Sequence, residues 1–294
     1  MVPSSTLSGA IVCGRLFSQS DLVALRDLIA SNPGLCRREI ATHTCQRLQW
    51  LTPSGQLKEM SCRVALLRLQ AKGFIQLPPP RSRNGNRKPF QPQQTIDVPA
   101  EKVICSAGLL SGLCLQRVVT KADSHLWNEA IARFHYLGYK RLPGAQIRYL
   151  VRSTLGLLGA LGFGASAWKA APRDRWIGWS DSQRQARLHL VVNNARFLLL
   201  PWIRCKNLAS LILSRCAREL PRDWQARYGY RPVLVETFVE RQRFQGTSYK
   251  AANWRYLGDT QGRGKLDRRH EAGLPIKQIY VYPLAKGFRE VLCA

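Results

Sequence analysis

The sequence predicts an α/β protein in two parts: a small N-terminal module of winged helix-turn-helix type, and a larger domain with a mixed sheet under helical cover. Three observations carry this. The chain has 294 residues, 45% of them hydrophobic, with 8 Trp, a length that favours about two domains and enough apolar material to give each a core. Its first 78 residues hold three short helical patterns, whereas from about residue 103 strand-like and helix-like runs alternate. Between them, residues 79–100 combine prolines, glutamines and basic residues with little to pack, which reads as a linker or an extended arm. The expected organisation is a tail at 1–19, the module at 20–78, the linker at 79–100 and the α/β domain at 101–294.

In the module, DLVALRDLIASNP has apolar residues at helical spacing, with Ser20 placed to cap it and Asn32 and Pro33 to stop it. A second helix over 36–48 turns Leu35, Ile40, Cys45 and Leu48 inward and ends near the turn-rich TPSG of 52–55. A third, over 58–72, is expected to bury Met60, Val64, Leu67 and Leu69 and to leave Lys58, Arg63, Arg68 and Lys72 outside. Gly73 terminates it, and 74–77 reads as a short strand before three prolines. This order suits a helix-turn-helix with a wing, which sets one helix in the DNA major groove. The third helix is then the one that reads DNA, and the tract RSRNGNRK offers Arg81, Arg83, Arg87 and Lys88 to the phosphate backbone or the minor groove. A helical protein-interaction module with a solvated basic face fits the same pattern.

In the large domain a helix is expected over 126–137, then strands at 147–151, 157–163 and 176–178. Residues 184–193 begin with helical spacing but pass into an apolar strand centred on Leu198. A well-patterned helix follows over 207–219, then a strand at 233–239 and a helix over 249–256 that Gly258 stops. Residues 277–282 and 288–292 read as two closing strands.

Lys and Arg total 45 against 18 Asp and Glu, a net charge of +27. A polyanionic partner is the simplest reason to carry that much self-repulsion. Because 33 of the 45 are Arg, which grips phosphate and guanine bidentately, DNA is the expected partner. Solubility or an anionic membrane surface would also account for the charge. The nine Cys contain no CxxC pair, which argues against a zinc ribbon, and their scatter through apolar stretches suits buried thiols in a reducing compartment. The apolar residues 7–13 lack a preceding basic region, disfavouring a signal peptide, and FLLLPWI at 197–203 is too short to cross a bilayer. A cytoplasmic protein without a membrane partner is expected.

The segments YLGYKRLPGAQIRYLV, GALGFGASAWKAAPRDRWIGWS, LHLVVNNARFLLLPWIRCKNLAS and ETFVERQRFQGTSYKAANWRYLGDTQGRGK, with CQRLQW and LKEMSCRVALLRLQAKGFIQLPPP before them, resemble the DruA family of the Druantia anti-phage system. The resemblance covers nearly the whole chain. It implies a place in prokaryotic defence or mobile elements, with a helicase or transposase as a partner, and it brings no settled reaction and no catalytic residues. In fold, the order strand 197–202, helix 207–219, strand 233–239, helix 248–256 is similar to the cofactor-binding half of GNAT-type acetyltransferases, where a loop and a helix N-terminus hold the pyrophosphate of acetyl-CoA. The matching WIRCKN lacks that loop's glycines and sets Cys205 and Lys206 where the backbone must approach closely. Acetyl-CoA is therefore not expected to bind.

Few acidic residues are candidates for chemistry. Glu236 interrupts the apolar run VLVETFV and shares a face with Leu234 and Phe238, so it must be paired, hydrogen-bonded or protonated. With Asp174 or Asp259 beside it, it could act as a general base or, with Asp174, ligate a magnesium ion; an ion pair with an arginine is the alternative. Tyr249, four residues before Asn253, is a candidate acid or nucleophile, or a helix anchor. His189 is a candidate base, or a core histidine. TQGRGK lacks the Walker spacing and reads as a basic DNA-contact loop carrying Arg263, Lys265, Arg268 and Arg269. These observations favour a DNA-binding protein whose large domain acts on or holds adjacent DNA. A metal-dependent nuclease or strand-transfer enzyme, an acetyltransferase-like enzyme and a non-catalytic RNA-binding protein are the alternatives.

Overall fold

A computed structural model describes residues 9–81, 90–263 and 273–294. The chain divides into two compact units, Met1–Lys88 and Pro89–Ala294.

The first unit opens with a hairpin, β1 (Ala10–Val12) and β2 (Arg15–Phe17), turned by Cys13 and Gly14, both at positive φ. The sequence reading assigned these residues to a tail, although a C-G turn between two apolar triplets is a hairpin signal. Three helices follow, α1 (Gln19–Ser31), α2 (Arg37–Arg47) and α3 (Glu59–Ala71). The cap of α1 is Ser18 rather than Ser20: its hydroxyl accepts from the Asp21 amide while Asp21 accepts from the Ser18 amide, satisfying two orphan donors at once. Phe17, Leu22, Ile40, Cys45, Leu66 and Leu69 form the buried centre.

Of the α3 residues expected to be inward, Leu69 is buried, but the other three are turned outward. Cys62, Ala65, Leu66 and Leu69 set the buried stripe at i, i+3, i+4 and i+7, so Met60, Val64 and Leu67 are 69%, 41% and 46% exposed. The strand expected at 74–77 has no ladder partner among the described residues. It is held by Phe74 N–H to the Leu69 carbonyl and Leu77 N–H to the Gln70 side chain.

The second unit is built on a seven-stranded sheet ordered β10-β11-β9-β7-β6-β5-β4. Its strands are β4 (Cys114–Arg117), β5 (Ile147–Ser153), β6 (Gly156–Ala165), β7 (Val191–Leu199), β9 (Leu234–Glu240), β10 (Arg255–Asp259) and β11 (Lys277–Pro283). Every neighbouring pair is antiparallel except β7 and β9, which are parallel and joined by the long helix α7 (Leu208–Tyr228). Helix α4 (Lys121–Phe134) covers one face: Arg148 of β5 bonds to its Asn128 and Ser124, and its Trp127 donates to the Leu161 carbonyl. Tyr149, the next residue of β5, points the other way and bonds to Asp223 of α7, as the period of two in a strand requires. A side chain at Gly162 would meet the Trp127 ring at 2.8 Å, so this glycine lets α4 close on the sheet.

Three expected elements change type. Residues 176–178 end the helix α5 (Ala171–Ile177), with Gly178 in the left-handed conformation as its cap. Residues 288–292 are the helix α9 (Phe288–Leu292), burying Phe288 and Leu292 on one side. The helix expected over 249–256 is only α8 (Thr247–Ala251): Asn253 takes a positive φ, and Tyr256 lies on β10. Tyr249 and Asn253 therefore share no helical face. The expected helix at 207–219 is instead longer, running through Pro221 to Tyr228.

A further parallel pair, β3 (Val103–Ser106) with β8 (Ile203–Lys206), brings Cys105 opposite Cys205, and the two are disulfide-bonded. Free thiols were expected at both positions. A residue spacing of 100 gives no local sign of pairing, which is why sequence missed it. Residues 95–96, within the expected linker, are anchored: Glu129 of α4 accepts from the Thr95 hydroxyl and the Thr95 and Ile96 amides, and pairs with Arg133 at 2.7 Å. Burial opposes ionisation of Glu129, but these bonds outweigh it and bring its pKa to about 2. No helix among the described residues is long and apolar enough to cross a membrane.

Candidate functional site

The parallel ladder between β7 and β9 lasts only three rungs, from Val191–Leu234 to Asn193–Glu236. Beyond it β7 carries a bulge at Ala195, where the register against β6 jumps from Asn194–Phe163 to Arg196–Gly162. The strands have different neighbours on their outer sides, and past this point, among the described residues, the ladder between them stops. Where the next rung would lie, the Thr237 hydroxyl takes the Asn194 carbonyl at 3.0 Å. The Asn194 amide spans the bulge, donating to the carbonyls of Arg196 and Gly162 and accepting from the Tyr249 hydroxyl at 2.7 Å. Tyr249 is thus a buried anchor on this floor, its hydroxyl pushed above the usual phenol range by burial.

On the joined side of this point lies Glu236. Fully buried, it accepts from the Ala167 amide at 2.8 Å on one oxygen and from Arg173 at 2.8 Å on the other. Arg173, also fully buried, grips Asp174 at 2.7 Å with its other edge, and Asp174 accepts further bonds from the Trp179 ring and the Ala170 amide. Burial pushes the Glu236 carboxyl up while Arg173 and the Ala167 amide pull it back. Glu236 and Asp174 are held by the same guanidinium, which stands between them. A magnesium ion does not fit: its place is taken by a cation the chain supplies, and both Glu236 oxygens are spent in the dry interior. Among the described residues, no three His, Cys, Asp or Glu side chains converge as a metal site would require.

Asp259 does not join this group. It lies on β10, two strands from β9, where Arg241 at 2.8 Å and the Tyr256 hydroxyl at 2.9 Å hold it. His189 lies on the turn before β7, its ring edge against Tyr230, and burial lowers its pKa. It touches none of the carboxylates. The loop before α7 does not form the open amide cradle that a coenzyme A pyrophosphate requires. Its residues are the strand β8, whose backbone pairs with β3.

Past the point where the strands part, five ring-bearing or cationic side chains gather that sequence did not single out. His135, at the C-terminal end of α4, stacks on Tyr136 at 4.9 Å, and Tyr136 meets Phe244 edge-on at 5.2 Å. Arg243 lies over the Tyr136 ring and pairs with Glu240. Arg196, at the bulge, donates to the neighbouring Ala195 carbonyl, and among the described residues its buried Nε has no partner. Burial, reinforced by Arg196, holds His135 neutral with a pKa of about 4. Its Nδ1 accepts from the Leu137 amide, so its proton sits on Nε2. No sequence pattern marks this group, because its members come from three separated segments.

Of the basic residues expected to meet DNA, Arg63, Arg68 and Lys72 are exposed on α3, while Lys58 is half-buried at its N-terminus. Arg63 and Arg68 flank the exposed Met60, Val64 and Leu67 rather than crowning the face. Arg81 is exposed and donates to the Gly34 carbonyl. Arg263 lies beyond β10, whereas Arg83, Arg87, Lys88, Lys265, Arg268 and Arg269 fall outside the described residues. Helix α2 adds an outward side that sequence missed, with Arg38, His43, Gln46 and Arg47.

Known proteins resemble this chain at two levels. Solved structures with a partial likeness include yncA from Salmonella typhimurium, assigned as an acetyltransferase and bound to acetyl-CoA. It is 15% identical over 48% of this chain and 66% of its own, with a TM-score of 0.31. An N-acetyltransferase from Staphylococcus aureus Mu50 is 14% identical over 60% of this chain and all of its own, TM-score 0.37. An assigned GNAT-family acetyltransferase from Desulfovibrio desulfuricans is 12% identical over 59% and 100%, TM-score 0.34. At these scores the likeness supports no inference about activity. No curated protein matches the sequence. The family model described as Druantia protein DruA matches residues 68–272, well over half of the chain, and the protein belongs to the DruA family.

Proposed function

We propose that this DruA-family protein is a DNA-binding component of an anti-phage defence or mobile-element system, acting beside a helicase or transposase. The observation that carries the proposal is the surplus of 45 Lys and Arg over 18 Asp and Glu. A surface so charged gains free energy by releasing condensed counterions from a phosphate chain. In the first unit, the three-helix module is read as a helix-turn-helix with α3 entering the major groove. Arg63, Arg68 and Lys72 would meet phosphates, and the outward Met60, Val64 and Leu67 would lie against thymine methyl groups. The 48–58 link between α2 and α3 is far longer than the roughly three to four residues of the simple motif. An antiparallel bridge between Leu51 and Leu57 tightens it.

Binding of the full chain to duplex DNA, followed by fluorescence anisotropy as salt is raised, tests this. The logarithm of affinity should fall steeply and linearly with that of salt, and removing Arg63, Arg68 or Lys72 one at a time should lower the slope by about 1 each. No binding to duplex, single-stranded or branched DNA at low ionic strength would overturn it.

A further inference from the structure

Aromatic rings are exposed at few places in the second unit, and two of them touch: Tyr136 and Phe244, 39% and 47% exposed, with centroids 5.2 Å apart. Soluble folds normally bury such rings, and a pair left open beside unanswered donors calls for a ligand with a flat apolar face and a polar edge. The polar partners are at hand. Among the described residues Arg196 has no carboxylate partner; its side chain donates to the Ala195 carbonyl and its buried Nε has no acceptor, which leaves guanidinium N–H groups unspent. His135, neutral and protonated on Nε2, offers a second donor beside it. Both are near Tyr136: His135 stacks on it, and Arg196 acts on its hydroxyl electrostatically. Glu240 is close as well, but Arg243 occupies it at 2.8 Å, leaving Arg243 itself 58% exposed at the rim.

The position has its own logic. In open α/β sheets, ligands sit beyond the carboxyl ends of parallel strands where neighbouring strands diverge. Here β7 and β9 are the one parallel pair of the large sheet, and Arg196 and Glu240 lie toward their carboxyl ends. The floor is rigid, because Asn194, Thr237 and Tyr249 satisfy one another. Gly246, between Phe244 and Tyr249, has φ +68°, and a side chain there would collide with the Tyr280 ring. That close approach fixes the turn that presents Phe244.

We propose that the crevice where β7 and β9 part receives an unpaired nucleobase, stacked on the Tyr136–Phe244 pair, with acceptors on its edge facing Arg196 and His135 and its phosphate near Arg243. A base supplies what the crevice lacks: a π face for the rings and carbonyl or ring-nitrogen acceptors for two donors. The inference rests on the nucleic-acid reading above and deepens it, since it makes the large unit a holder of single strand.

The test is binding of the full chain to a fluorescein-labelled oligothymidylate and, separately, to duplex DNA, for wild type, Tyr136→Ala, Phe244→Ala and Arg196→Gln. Tyr136→Ala and Phe244→Ala should weaken the single-strand complex by about 5- to 150-fold, the effect of losing one base–aromatic stack, and leave duplex binding within about twofold. Tyr136→Phe should retain most of the affinity. Both rings are half-exposed, so the two alanine variants keep the wild-type thermal midpoint; Phe244→Ala serves alone if Tyr136→Ala does not fold. If oligothymidylate binds and the two variants bind it like wild type, the crevice assignment is wrong while the DNA-binding reading stands. If neither nucleic acid binds, both fall.

Discussion

β7 and β9 are joined at one end and parted at the other, and the polar groups on the two sides of that point are treated in opposite ways. On the joined side, Arg173, Glu236 and Asp174 answer one another's charges in a dry interior. On the parted side, Arg196 keeps a buried donor unmet and His135 stays neutral beside it. Burial of a charged residue is therefore no sign of chemistry by itself. Glu236 and Asp174, which sequence marks as catalytic candidates, hold the loop after β6 and the start of α5 to the sheet, whereas Arg196, on the other side of the bulge, keeps a buried donor unspent.

Breaking the joined side should have the largest effect. Removing one partner of a buried ion pair strands the other charge, which costs about 3–5 kcal/mol. Arg173→Ala and Glu236→Ala are each expected to lose that much in urea unfolding. The paired replacement Arg173→Met with Glu236→Leu should lose less than either single change, because no fully buried charge is stranded and Asp174, 12% exposed, keeps the Ala170 amide and the Trp179 ring as donors. If Glu236→Ala unfolds like wild type, the carboxylate is not the clamp described here. Next comes Tyr249→Phe. It leaves the buried Asn194 Oδ1 without its donor, a loss of about 1–3 kcal/mol, read by the same unfolding experiment.

This contrast was only half legible in the sequence. A glutamate inside VLVETFV announces a buried carboxylate that needs a partner, and the burial follows from the strand's alternation. Which arginine serves is a tertiary fact, since Arg173 lies 63 residues away. The helix α4, β5, β6, α7, β9 and β11 were visible as long periodic runs. The hairpin at 10–17, β3 with β8 and the ladder's end at Asn193 were not, because three- and four-residue strands carry too little periodicity and a bulge leaves no local mark. The misjudged face of α3 has a similar cause: with Leu66, Leu67 and Leu69 all apolar, the stripe's phase is set by the small residues Cys62 and Ala65, which pack where larger ones would not. Tyr136, Phe244 and Arg196 were passed over because they come from three different segments.

On the surface the comparison predicts a near absence of effect on folding. Arg63, Arg68 and Lys72 are exposed on α3, so replacing each with Ala should shift unfolding by no more than about 0.5 kcal/mol while weakening DNA binding. A variant that loses binding together with stability would mean that these residues shape the module rather than meet phosphate.

The last effect belongs to His135 and concerns pH. Its pKa falls from an ordinary 6.5 to about 4 in the fold, through burial first and the nearby Arg196 second. Between these values the unfolded chain takes up a proton that the native state refuses, so stability falls as pH drops from 6.5 toward 4 and is unaffected by this group above 6.5. One proton sets a ceiling of about 1.4 kcal/mol per pH unit on the slope, and other groups titrate in the same range. The informative quantity is therefore the difference between wild type and His135→Gln, which cannot protonate. Urea midpoints of the two should run parallel above pH 6.5 and converge or cross below it, with the variant the less acid-sensitive. Parallel curves throughout would mean that His135 is solvated like any surface histidine, and the parted side of the strand pair would lose the neutral donor that distinguishes it from the joined side.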